Sequence, residues 1–245
     1  MELHGTRVVV TGGASGLGRA TAQGFRDAGA RVCVFDLNGD TPQGIGYREV
    51  DVTDAEAARG ALAASVESMG GVDVVVNCAG IVAGARTLGR DGPHDLDAFE
   101  RTLRVNLTGT FNISRLAAEV MASNTPNEDG ERGVIVNTAS IAAFEGQRGQ
   151  AAYAASKAGI AGLTLPMARD LAREGIRVMA IAPGIFRTPM MAGLPPEVQQ
   201  QLAADVPFPQ RLGDPKEFAA LVRFIVTCPY LNGTTIRIDG ALRMQ

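Results

Sequence analysis

The 245-residue sequence predicts an α/β fold: a single domain built on one doubly wound parallel sheet of seven strands, with helices on both faces. Three observations carry this. Short apolar runs alternate with longer helical patterns along the whole chain. Several of those runs are continuous Val/Ile stretches, as in strands covered on both sides. A glycine-rich turn joins the first run directly to the first helix.

In chain order, Arg7–Thr11 reads as the first strand and Gly16–Ala28 as the first helix. Arg31–Asp36 is the second strand. Asn38–Gly46 follows with three Gly and a Pro, so this crossover reads as a short loop where a helix is expected. Tyr47–Val52 and Val72–Asn77 flank the helix Asp54–Met69, with Asp54 as its N-cap. The next pair is the helix Asp97–Ala122 and the strand Gly133–Thr138. Ala151–Glu174 is helical, and Pro166 inside it removes one N–H and presses on the carbonyl of Gly162, which predicts a kink well past Lys157. Arg177–Ile181, the Asp214-capped helix Asp214–Thr227 and Thr234–Ile238 complete the alternation. Ala83–Pro93 and Ser123–Gly133 are polar, turn-rich insertions, read as surface loops. No repeat or second domain interrupts residues 1–245.

Composition narrows the function classes. A formal net charge of −3 without any basic run disfavours nucleic acid or an anionic membrane as partner. No apolar run approaches the ~20 residues needed to span a bilayer. A strand beginning at Arg7 leaves no room for a leader, so a cytoplasmic protein is expected. Cys33, Cys78 and Cys228 share no paired spacing and read as reduced, buried thiols. His4 and His94 stand alone, and no cluster has metal-ligand spacing, so no metal is expected.

The turn Thr11-Gly12-Gly13-Ala14-Ser15-Gly16-Leu17-Gly18 opens a helix at the end of a strand. Glycine permits close backbone approach, and the free N–H groups of a helix start suit a pyrophosphate. The spacing of Gly12, Gly16 and Gly18 is wider than GxGxxG and points to another branch of dinucleotide-binding folds. Asp36 ends the second strand, where a carboxylate accepts from both ribose hydroxyls and repels a 2′-phosphate. Ser15 and Leu37 supply no cation for that phosphate, so NAD is expected over NADP. Asp51-Val52 and Asn77-Cys78-Ala79-Gly80 end the next two strands on the same edge, placed for adenine and ribose. Each of these motifs alone is equally an ordinary strand terminus or turn.

Tyr153 and Lys157 lie one helical turn apart on one face. A free Tyr titrates near pH ~10, and an ammonium within a few ångströms lowers an acid by about 1–3 units. The pair therefore reads as a proton donor and acceptor. Ser140, just past the fifth strand, sits at the ligand edge where its hydroxyl can hold a substrate oxygen. Asn106 is a poor mid-helix residue; it bends the helix, holds a water or is simply a satisfied buried amide. Gln150, one turn before Tyr153, is either a substrate contact or an exposed helix start. The Pro- and Met-rich stretch 188–214, with Met190, Met191, Leu194 and a short helix at Glu197–Ala204, reads as a substrate lid, with a packed crossover as the alternative.

Taken together and in this order, the glycine turn, NCAG, Asn106, Ser140, Tyr153, Lys157, Pro183-Gly184 and Asp239-Gly240 resemble the short-chain dehydrogenase/reductase family over essentially the whole chain. The resemblance implies a Rossmann fold and a catalytic tetrad of Asn106, Ser140, Tyr153 and Lys157. Tyr153 would exchange the alcohol proton, Lys157 lower its pKa and bind the nicotinamide ribose, Ser140 orient the substrate oxygen and Asn106 hold a water. Asn137–Gln147, Val206–Pro215 and Asp239–Gln245 are similar to the members that act on 3-hydroxyacyl-CoA. That likeness implies NAD-dependent oxidation of a secondary alcohol, an acyl-CoA substrate and a homotetramer. It places Ser15, Leu17, Asp36, Asp51, Val52, Cys78, Tyr153, Lys157, Phe186 and Thr188 on the cofactor, with Pro183 beside them. A hydroxysteroid or other lipophilic alcohol is the alternative substrate. A catalytically idle NAD-binding scaffold is the alternative class, and the intact tetrad argues against it. The Asn38–Gly46 connection is shorter than the family's usual crossover.

Overall fold

The computed structural model describes residues 1–193 and 195–244. Its strands are β1 (Arg7–Thr11), β2 (Arg31–Asp36), β3 (Ile45–Glu49), β4 (Val74–Asn77), β7 (Gly133–Thr138), β8 (Ile176–Pro183) and β9 (Thr235–Ile238), with a small hairpin, β5 (Leu88–Gly89) and β6 (Gly92–Pro93), in the first insertion. The seven main strands form one parallel sheet in the order β3-β2-β1-β4-β7-β8-β9. The chain winds outward from β1 to β3 and then returns to β4 on the other side. The carboxyl ends of β1 and β4 thus flank the switch point where such sheets bind ligands.

Alternate residues of each strand face opposite layers, and both layers are covered. Val9, Phe35, Val75 and Ile135 pack with Leu62 of α2 (Ala55–Met69), Ile113 and Met121 of α4 (Thr110–Met121) and Met167 of α5 (Ala151–Asp170). Val8, Val10, Val34 and Val136 pack with Phe25 of α1 (Gly16–Asp27) and with Phe218 and Val222 of α8 (Pro215–Thr227). Two-sided burial is why the strands read as unbroken apolar runs.

Several boundaries differ from the sequence reading. β3 runs from Ile45 to Glu49, so it begins two residues and ends three residues earlier than the Tyr47–Val52 pattern suggests, because its register with β2 runs from Ile45 opposite Val32 to Glu49 opposite Asp36. The expected single helix 97–122 is α3 (Leu96–Leu103), a π-helical turn (Arg104–Gly109) and α4. α5 runs through Pro166 to Asp170, and a 3₁₀ turn covers Ala172–Glu174. No helix fills the connection between β2 and β3. Residues 188–214 carry α6 (Pro189–Ala192) and α7 (Pro196–Ala204); Leu194, expected in the lid, lies outside the described residues, as does Gln245. No described helix is long and apolar enough to cross a membrane.

Candidate active site

The glycine turn is built by close contacts that a side chain would block. Gly12 has φ +63, and a Cβ there would lie 2.7 Å from the amide nitrogen of Ala79. A Cβ on Gly18 would lie 2.2 Å from the Gly12 oxygen, so the first turn of α1 rests directly on the glycine turn. Ser15 caps α1 in extended conformation with an exposed hydroxyl that makes no capping bond. Leu17, half-buried, packs into the α1/α8 layer. Thr188 closes the turn from the other side, its Cγ2 3.4 Å from a Cβ position on Gly16.

Asp36 turns back toward this loop. One carboxylate oxygen accepts from the Ala14 amide at 3.0 Å and the other from Leu37 at 2.8 Å. Each oxygen keeps a lone pair for a further donor. Asp51 is exposed and accepts from the Thr53 amide, while the neighbouring Val52 is buried and its carbonyl accepts from Asn112 Nδ2 at 2.9 Å. These groups fit a dinucleotide: a free hydroxyl and unbonded helix amides at the turn, and an acidic acceptor 22 residues on from Ala14 at the adjacent strand end.

Two expected cofactor contacts face elsewhere. Asn77 is 2% exposed, and its Nδ2 donates to Ser114 Oγ at 3.0 Å and to Asn137 Oδ1 at 2.9 Å. Its amide cross-links β4, β7 and α4 inside the protein and leaves only backbone at the ligand edge. The Phe186 ring is buried edge-on against Phe218 and covers Gly213, so it is a core side chain. Asn77 was read from its strand-end position and Phe186 from the family likeness, and neither says where a side chain turns. Pro183 ends β8 within the buried sheet, and Gly184 packs against Asp239. Cys78 is partly exposed, accepts from the Thr138 hydroxyl at 3.6 Å and has its thiol pushed up to about 11 by burial.

The Tyr153–Lys157 pair stands at the same edge, on the first turns of α5. Lys157 is 5% exposed, and burial lowers its ammonium to about 8. Its Nζ donates to the Thr138 oxygen at 2.7 Å and lies 5.7 Å from the Tyr153 ring centre. Tyr153 differs from expectation. Burial raises its phenol and the Ser140 hydroxyl pulls it back, with no lowering from Lys157. Desolvation therefore outweighs the expected charge effect in the protein alone. Ser140 caps the 3₁₀ turn Ile141–Ala143, its Oγ accepting from the Ala142 amide at 3.1 Å.

Asn106 is fully buried in the π-helical turn. Its Oδ1 accepts from Ile81 N at 2.8 Å, and Nδ2 donates to Ile81 O at 2.9 Å and Ser156 Oγ at 3.0 Å. Both amide hydrogens are therefore used in clamping the loop after β4 to α5. Ser156 in turn donates to the Tyr153 carbonyl at 2.7 Å. Gly80 permits this approach, since a Cβ there would lie 3.1 Å from Asn106 Oδ1 and 3.7 Å from Lys157 Nζ.

Gln150 folds back on its own turn, Oε1 accepting from the Gln147 amide at 3.0 Å. It helps line a cavity of about 420 Å³ with Arg86, Leu88, Arg148 and Ala154. Arg86 and Arg148 are exposed and engage no hydrogen bond or ion pair among the described residues. Sequence reasoning missed Arg148, Ser156 and Thr138. Ser156 carries a signal, a hydroxyl beside Lys157 on the helix; Thr138 acts through its main-chain oxygen and carries none.

Residues 6–199 match the short chain dehydrogenase family. The chain belongs to that family, whose members are oxidoreductases acting on CH–OH donors with a nicotinamide cofactor. Over an alignment of 254 positions it is 53% identical to 3-hydroxyacyl-CoA dehydrogenase type-2 of Homo sapiens, covering 100% of this chain and 97% of the relative. The corresponding Drosophila melanogaster protein is 51% identical over 247 residues, covering 97% of each. The crystal structure of 3-hydroxyacyl-CoA dehydrogenase type-2 from Mycobacterium avium superposes with a TM-score of 0.93 at 39% identity, covering 100% of this chain and 99% of that one.

Proposed function

We propose that this protein is an NAD-dependent dehydrogenase that interconverts 3-hydroxyacyl-CoA and 3-oxoacyl-CoA. The observation that carries the reaction type is the meeting of Ser140, Tyr153 and Lys157 at the switch point of the sheet, beside the glycine turn. The thioester substrate follows from relatives of about half identity that carry that name.

On this reading the nicotinamide supplies the hydride acceptor when bound, and the protein supplies position and proton control. Ser140 has a single hydroxyl hydrogen: it donates to the Tyr153 phenolate in the free protein and turns to the substrate oxygen when substrate is bound. Tyr153 takes the alcohol proton in oxidation and returns it in reduction. Lys157, held by Thr138 with its ammonium 5.7 Å from the Tyr153 ring centre, would bind the nicotinamide ribose beside the phenol. Asn106 holds Ile81 and Ser156, and so fixes the backbone on which Tyr153 stands. NAD is favoured over NADP because Asp36 places its charge at the glycine turn with no cation in Ser15 or Leu37. Gly12, Gly16, Gly18, Ala79, Gly80 and Thr188 would hold the cofactor through backbone approach.

Residues 188–214 serve as the lid: α7 has no buried residue, while Thr188 and Leu212 anchor the two ends. Arg86 and Arg148, unpaired among the described residues at the cavity before α5, suit the phosphates of CoA and favour it over a hydroxysteroid. Assembly as a homotetramer is supported by exposed Phe111 on α4, Leu165 on α5 and Phe224 on α8. The free thiols Cys33, Cys78 and Cys228 suit a cytoplasmic setting. Initial rates with NAD or NADH against 3-hydroxybutyryl-CoA, acetoacetyl-CoA and a hydroxysteroid test the assignment. A preference for the steroid would overturn the thioester.

A further inference from the structure

The turn that carries Ser140 is held at its far end by a four-charge network. Glu145 closes that turn, its amide donating to the Ile141 oxygen at 3.0 Å. Its carboxylate accepts a two-pronged bond from Arg237 of β9, at 2.8 and 3.1 Å, and a third from the Met244 amide at 3.2 Å. Arg237 also pairs with Asp239 at 2.6 Å and donates to the Leu242 oxygen at 3.1 Å, and its guanidinium lies 5.9 Å from the Phe144 ring centre. Arg243 adds contacts of 3.3 Å to both Glu145 and Asp239. The Arg237, Glu145 and Asp239 side chains are a quarter exposed or less.

The same segment touches three more parts of the site. Leu242 is buried against Ile141, the residue after Ser140, and against Val206 in the returning limb of 188–214. Gly240 accepts from the Phe208 amide at 3.2 Å. Gly184, just past β8, packs on Asp239. Gly240 and Ala241 make this course possible with consecutive left-handed φ values of +59 and +68.

We propose that Arg237 is a positioning residue for the reaction. With Glu145 and the segment Asp239–Met244 it forms a strap that fixes the Ser140 turn and ties it to the root of the lid. A planar two-pronged pair defines direction as well as distance, which suits alignment better than a point charge does. The inference rests on Ser140 acting on the substrate oxygen, and small misplacements of such a group lower turnover steeply.

The test compares Arg237→Met, Arg237→Lys and Ser140→Ala in the full chain, using acetoacetyl-CoA reduction and NADH binding by fluorescence. Arg237→Met should lower kcat about tenfold and raise the KM for acetoacetyl-CoA several-fold, leaving NADH affinity within about twofold; Arg237→Lys should recover part of that loss. In a Ser140→Ala background, Arg237→Met should cost less than about a further twofold, because both changes act through one hydroxyl. A silent Arg237→Met beside a crippled Ser140→Ala would overturn the strap alone. So would losses that multiply in full, or NADH affinity that falls in step with kcat. A fully active Ser140→Ala would overturn the site reading and the strap with it. Should Arg237→Met not fold, Glu145→Gln, which keeps size and one acceptor, carries the same comparison.

Discussion

Lys157 donates its ammonium to the main-chain oxygen of Thr138, 19 residues earlier, across 2.7 Å. The contact ties the helix that carries Tyr153 to the end of a central strand. It also holds a cation where little solvent reaches it, so the charged form is disfavoured and its pKa falls to about 8.

This depression makes stability depend on pH. Between about 8 and an unfolded value near ~10.4, the folded protein binds fewer protons than the unfolded chain, so stability rises with pH across that window. Below about 8 the full burial penalty applies. We predict that the unfolding free energy of wild type, relative to Lys157→Met, increases by about 2–4 kcal/mol from pH 7.5 to 10.5. Urea unfolding of the two proteins without cofactor measures it, and a constant difference would show that Lys157 is not held in a depressed state.

Ser140 lowers the Tyr153 phenol against the upward push of burial. Ser140→Ala should therefore move the ascending limb of the oxidation pH profile to higher pH, besides lowering kcat about 10²-fold. Profiles of kcat/KM for 3-hydroxybutyryl-CoA read both effects. A lower kcat with an unmoved limb would mean that Ser140 binds substrate without tuning the phenol.

Asp36 bonds to the Ala14 amide of the glycine turn at 3.0 Å. Replacing it with Ala removes the charge that repels a 2′-phosphate. The ratio of kcat/KM for NAD over NADP should fall by at least about tenfold, roughly 1.4 kcal/mol. An unchanged ratio would place the discrimination elsewhere.

Arg86 and Arg148 line one cavity and have no hydrogen-bond or ion-pair partner among the described residues. The double change to Ala should raise the KM for acetoacetyl-CoA about 5–20-fold, and the wild-type KM should rise with salt. The N-acetylcysteamine thioester, which lacks the CoA phosphates, should show neither effect. Equal losses on both substrates would mean that these arginines support the fold of the insertion.

Much of the architecture is legible because both faces of the sheet are covered. β1, β2 and β7 begin and end where their apolar runs do. β3 was displaced because Val50 and Val52 are buried without being paired in the sheet, and apolar pattern reports burial alone. The π-helical turn at Asn106 is hidden because one widened turn barely alters helical spacing over Leu96–Met121. Asn77 and Phe186 show a different limit. Strand-end position brought Asn77 to the ligand edge and the family likeness put Phe186 on the cofactor, but the partners Ser114, Asn137 and Phe218, distant in sequence, turn their side chains into the core. The raised Tyr153 pKa has the same origin, because burial of the pair depends on the assembled site and not on its spacing.

The central claim is that Tyr153 exchanges the proton in a site otherwise complete for cofactor binding. Tyr153→Phe tests it most directly, with NADH binding and acetoacetyl-CoA turnover measured on the same preparation. The expected result is a loss of turnover of at least about 10³-fold with the NADH dissociation constant within about threefold of wild type. Turnover within tenfold of wild type would contradict the claim.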